Sequence, residues 1–112
     1  MVDHFIPWSR FPLDLGHNLV LADGRCNGHK ADRLAAFEHL ERWGERNAGP
    51  NWTAALESRI LRHDAARTNR VAGWAYDQAE RARATVWQRG PEGLVDLDPR
   101  WRATLLPRVT AP

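Results

Sequence analysis

Apolar and polar positions change period several times along this chain, and each change marks an element. Asp3 to Ile6 reads as a short strand closed by Pro7, which has no N–H to give to a ladder. Trp8 to His17 breaks every periodicity and carries Pro12 and Gly16, so it is a loop. Asn18 to Ala22 is a compact apolar run, most simply a second strand. After Asp23-Gly24, residues Arg25 to Lys30 open a short helix. Asp32 is placed as the N-cap of the next helix, ADRLAAFEHLERWGERN, whose Leu34, Phe37, Leu40 and Trp43 fall on one face. Gly49-Pro50 then punctuates a boundary.

The second half is mostly of helical period. Trp52 to Leu61 is one segment and Ala65 to Trp87 a longer one, with Val71, Trp74, Ala75, Gln78, Ala82 and Val86 as its inner face. Gly73 weakens that helix by about 1 kcal/mol relative to Ala. Gly90 to Gly93 turns the chain, and the LVDLD stretch with Trp101, Leu105 and Leu106 reads as a clasp back onto the helices. The expected class is α+β, divided into residues 1–48 and a mainly α-helical extension over residues 49–112.

Composition narrows the picture. A chain of 112 residues with 43% hydrophobic content and six Trp is one folded domain rather than a disordered segment. No apolar run approaches the roughly 20 residues of a membrane span, and no signal peptide is visible, so the expectation is a cytoplasmic protein without a membrane partner. Cys26 is the single cysteine, which excludes an internal disulfide and a CxxC zinc knuckle and makes it a packing residue. A net charge of +2 tolerates nucleic acid without demanding it. Of the 16 basic residues, one alone, Lys30, is lysine.

Taken in order, Asp3-His4, Pro7, Asn18-Leu19, Leu21, Cys26-Asn27 and Lys30 form a constellation. Each of these taken singly is a surface, turn or packing residue; the ordered set is not. It resembles the HNH endonuclease family, whose shared element is a ββα-metal finger, and in particular the C-terminal part of bacterial HNH nucleases. The resemblance covers roughly Asp3 to Asp32 and makes residues 1–48 the nuclease motif with its following helix. It implies His4 as general base, since neutral imidazole can take a proton from water. It implies Asp3 and Asn27 as metal ligands, and Asn18 as the residue that orients the base. Lys30, three residues after Asn27 and so on the same helix face, is expected to meet the phosphate.

Many family members carry His where this chain has Asn27, an exchange also found in the HNH domains of some CRISPR effector nucleases. An amide oxygen there makes the ligand set all oxygen, which favours Mg²⁺, with Mn²⁺ as the alternative, and no structural zinc. Arg10, Arg25 and Arg33 lie near this motif and are the candidates for phosphate contacts on DNA. Trp8 sits in the adjoining loop, and His17 adjoins Asn18 within reach of a substrate. His39 and His63 read as helix-surface residues. The arginines from Arg59 to Arg83 interleave with Glu57, Asp64, Asp77 and Glu80 as a solvated face.

The expected activity is therefore metal-dependent hydrolysis of DNA phosphodiester bonds. Family members carry chain ahead of the Asp-His strand, so support for that strand is expected from a further N-terminal segment or a partner chain. The alternative, in which that support is missing, is a non-catalytic nucleic-acid-binding or assembly fragment of a longer HNH protein.

Overall fold

The computed structural model describes residues 2–21 and 24–110, with the side chains of Asn27 and residues 106–110 outside the described set. Strands β1 (Val2–His4) and β2 (Leu19–Leu21) pair antiparallel, with Val2 opposite Leu21, Asp3 opposite Val20 and His4 opposite Leu19. A 3-10 turn over Gly16–Asn18 feeds β2, and helix α1 (Gly24–Lys30) follows it. The first strand ends before Phe5 and Ile6, two residues short of expectation, because the Asn18 side chain rather than a strand partner takes the Ile6 backbone. Asn18 accordingly belongs to the turn, and Ala22 lies outside the described residues.

Helix α2 (Phe37–Ala48) starts later than the sequence suggests, and Asp32 does not cap it; its N-cap is Ala36, which makes no side-chain bond. The cause lies in strand β3 (Thr85–Arg89). The Trp87 N–H donates to the Leu34 carbonyl at 2.9 Å, and the Ala36 N–H donates to the Trp87 carbonyl at 2.8 Å. Residues 34–36 are thus held extended and buried. Tyr76 secures the same segment, donating its hydroxyl to the Ala35 carbonyl at 2.6 Å.

Helix α3 (Pro50–Ser58) opens on its proline, whose missing N–H costs nothing in a first turn. Helix α4 (Ala65–Arg81) is capped by Asp64, which accepts from the Arg67 N–H at 3.0 Å. The helix expected to reach Trp87 stops six residues earlier. Arg83 turns into the left-handed region at φ 53°, and the chain enters β3, which pairs antiparallel with β4 (Gly93–Asp96). Ladder partners on both sides of β3 outweigh the helical propensity of the Ala-rich run before it. The extension therefore contains a β-hairpin, and most of LVDLD is strand rather than clasp.

The buried face of α4 is also rotated from expectation. Thr68, Ala72, Ala75, Tyr76 and Ala79 face inward, whereas Gln78 is exposed and Trp74 is 56% exposed. Small side chains at 72, 75 and 79 let the backbone approach its neighbours, and the Tyr76 ring stacks on Trp101 with centroids 6.0 Å apart. Helix α5 (Trp101–Thr110) does act as the clasp: Trp101 and Leu105 are buried, and the Trp101 indole N–H donates to Glu80 at 2.7 Å. One hydrophobic cluster joins Phe5 and Ile6 to Leu40, Tyr76, Val86 and Trp101. The residues after β1 therefore rest on the same core as the helices. Among the described residues, no helix is long and apolar enough to cross a membrane.

Candidate active site

Successive strand residues face opposite ways, so β1 sends Asp3 and His4 to different sides of the small sheet. Asp3 opens onto a cavity of about 530 Å³ lined also by Phe5, Cys26, Lys30, Trp43 and Arg46. His4 faces the loop of residues 7–15. Its Nε2 lies 2.7 Å from the Asp14 carboxylate, and its ring sits 5.3 Å from that of Trp8, tilted by 59°.

Asn18 closes the strand-turn-strand unit. Fully buried, it accepts from the Ile6 N–H through Oδ1 at 2.8 Å and donates from Nδ2 to the Ile6 carbonyl at 3.0 Å. Its own carbonyl accepts from the Phe5 N–H at 2.7 Å. Two consecutive residues after His4 are thereby fixed to one asparagine.

Lys30 is only 6% exposed, and its ammonium points inward. It donates to the His4 carbonyl at 3.2 Å and lies 3.9 Å from the Asp3 carboxylate. Burial pushes its pKa below the ordinary lysine value, opposed by the charges of Asp3 and Asp32. The chain's lone lysine thus braces the backbone just after His4 and faces the Asp3 carboxylate instead of reaching toward solvent. Lys30, Asp3 and the His4 carbonyl are brought together, with the Asn18 clamp two residues beyond, while the His4 ring lies on the other side of the small sheet from Asp3. The Asn27 backbone lies in α1 one turn before Lys30, and its side chain is outside the described set.

The arginines divide. Arg10 and Arg33 line one groove of about 550 Å³ together with Asp32 and Thr85, while Arg25 is exposed on α1. His39 is half-buried rather than on the surface, stacked on Trp87 at 5.3 Å and donating from Nε2 to the Gln88 carbonyl at 2.8 Å.

Sequence reasoning missed a second layer that grips the turn before β2. Arg46 donates to the Leu19 carbonyl at 2.7 Å and the His17 carbonyl at 3.0 Å, and its guanidinium lies 4.2 Å from the Trp52 ring centroid. Burial lowers its pKa to about 10. Asn47 donates to the His17 carbonyl at 2.9 Å, and the Trp52 indole N–H donates to the Gly16 carbonyl at 3.1 Å. Only the indole and guanidinium at positions 52 and 46, six residues apart across the Gly49-Pro50 break, could have hinted at this. His17 itself is buried, its Nε2 2.9 Å from the Thr53 hydroxyl and its ring 5.5 Å from that of His63. His63 lies between α3 and α4, 3.7 Å from Glu57. Asp14 was missed because a loop aspartate has no local signature.

Two outcomes follow from these contacts. Asn18→Ala strands the buried N–H and carbonyl of Ile6 and is expected to cost about 2–4 kcal/mol in denaturant unfolding; a loss within error of zero would contradict the clamp. The second concerns His17, whose pKa is lowered by burial first, then by His63 and Arg46, with Asp64 opposing. Below the ordinary value of 6.5 the unfolded chain takes a proton that the folded chain refuses. Stability from this group is therefore full above that pH and falls as the pH drops through the window below it. Unfolding midpoints compared at about pH 7.5 and about pH 5.5 should fall less for His17→Gln than for the wild type. Equal falls would contradict this assignment.

Residues 1–36, the stretch holding Asp3, His4, Asn18, Asn27 and Lys30, match the family model for HNH endonuclease. No curated protein and no solved structure matches the chain. This N-terminal third of the molecule is thus similar to HNH endonucleases.

Proposed function

We propose that this chain is a metal-dependent HNH endonuclease that hydrolyses DNA phosphodiester bonds, with β1, β2 and α1 as its ββα-metal finger. The observation that carries this reading is the clamp of Asn18 on Ile6 beside His4, inside the stretch similar to HNH endonucleases. It is the orienting part that the motif calls for at that position.

Among the described residues there is no group of three or more His, Cys, Asp or Glu that could hold a metal. The donors that the motif names are the Asp3 carboxylate and the Asn27 amide. A hard cation that keeps several waters and takes further oxygens from phosphate suits so small a set, and Mg²⁺ or Mn²⁺ is of that kind. Asp3 and Asn27 would hold it, and when bound it supplies positive charge to a phosphoryl oxygen and the leaving oxygen.

The remaining work falls to the chain's own groups. His4 takes the proton of the attacking water as general base. Asn18 keeps the backbone beyond His4 from shifting, so that the ring holds its distance from the phosphate. Lys30 fixes the His4 carbonyl and sets a positive charge 3.9 Å from Asp3. Arg10 and Arg33, sharing one groove, and Arg25 on α1 bind backbone phosphates at a distance from the reacting one.

A second reading has one observation in its favour. Val2 and Leu21 at the open end of the small sheet are exposed beside Leu61, over a groove of about 430 Å³ that reaches Trp52 and Leu56. Such an apolar surface suits an assembly or nucleic-acid-binding module with no cutting activity.

Nicking of supercoiled plasmid separates the two. With Mg²⁺ the wild type is expected to nick, EDTA to stop it, and His4→Ala to lower the rate by about 100-fold or more with an unchanged circular dichroism spectrum. Equal cutting by wild type and variant would sink the nuclease reading. Salt-sensitive DNA binding without cutting in Mg²⁺ or Mn²⁺ would establish the second.

A further inference from the structure

His4 has a partner that the motif does not contain. Its Nε2 and the Asp14 carboxylate stand 2.7 Å apart, ten residues from one another in sequence. A carboxylate is an acceptor only, so the proton in this bond sits on Nε2. Neutral imidazole carries a single N–H, which leaves the lone pair on Nδ1.

The Asp14 carboxylate is 72% exposed, yet the backbone that presents it is anchored on both sides. Phe11 and Leu15 are buried in the core, and Leu13 packs against it. The Gly16 N–H donates to the Arg62 carbonyl at 2.8 Å, and Leu13 donates to Phe11 at 2.8 Å. Trp8 stands against the same ring. The imidazole therefore has one preferred rotation, set by a carboxylate on one nitrogen and an indole against its ring.

We propose that Asp14 is a positioning residue for His4: it holds the ring as the Nε2–H tautomer and makes Nδ1 the atom that accepts the proton of the attacking water. This rests on the nuclease reading above. In the step, a water proton moves to Nδ1 and the water oxygen bonds phosphorus. The electron pair of the broken P–O bond goes to the leaving oxygen, which takes a proton from solvent. Asp14 keeps its place as the acceptor of Nε2–H throughout the step, so the ring does not turn as Nδ1 takes the proton.

Asp14→Ala in the full chain tests this, since an exposed loop side chain can be truncated without disturbing the core. With supercoiled plasmid and Mg²⁺, kcat is expected to fall about 10- to 100-fold with KM unchanged. Ser9→Ala, in the same loop, should cut at the wild-type rate. By NMR, the wild type should give an exchange-protected Nε2–H resonance for His4 that disappears in Asp14→Ala. A variant cutting at the wild-type rate, or a wild-type His4 protonated on Nδ1 alone, would overturn the inference. A wild type that leaves plasmid intact overturns the nuclease reading instead. A wild type that cuts while Asp14→Ala makes no difference overturns only the role of Asp14.

Discussion

The amide of Asn18, bonded to both the N–H and the carbonyl of Ile6, is the interaction on which the N-terminal third depends. It is a side chain doing the work of a strand partner: one acceptor and one donor, spaced as a neighbouring backbone would space them. Aspartate could only accept, and would set a negative oxygen against the Ile6 carbonyl. The clamp ends β1 two residues early and fixes the point at which the loop carrying Trp8 and Asp14 departs. Remove it, and so short a two-stranded sheet would hold His4 less firmly in register, since isolated two-stranded sheets are marginal in water.

Two cations brace this unit, Lys30 buried and Arg46 half-buried, and their chemistry matches their tasks. Arg46 spreads its planar fork over the Leu19 and His17 carbonyls and lays its face on Trp52. Lys30 brings a compact point charge to one carbonyl and one carboxylate. Each cation is costly to bury, as their lowered pKa values record. The cost is offset because each satisfies backbone carbonyls that would otherwise be stranded at the edge of the core.

Much of the first thirty residues was legible because their signals are local. Pro7, the broken loop and the apolar run at 19–21 put both strands and the short helix within two residues of their spans. The choice of Asp3, His4, Asn18 and Lys30 came with the resemblance to HNH endonucleases; the structure sets Lys30 beside Asp3 and the His4 carbonyl, with the Asn18 clamp two residues further on. That Lys30 turns inward was not legible, because burial depends on what covers α1. The end of α4 was misread for a like reason: Ala82 to Ala84 favour helix, and it is the pairing of β3 with β4 on one side and of Trp87 with Leu34 and Ala36 on the other that makes a strand beyond them. Asp14 and Arg46 escaped because Asp14 meets His4 across 10 residues and the carbonyls that Arg46 holds lie 27 and 29 residues away. Asn27 remains a reading from the motif, its side chain lying outside the described residues.

The account stands or falls on a divalent cation at Asp3. Titration of the ¹⁵N-labelled chain with Mn²⁺, followed by paramagnetic broadening of amide signals, asks this most directly. The account predicts that Asp3 and the residues from Asn27 to Lys30 broaden first and together. Early broadening at the acidic groove of Glu38, Asp96 and Asp98, with Asp3 untouched, would contradict it.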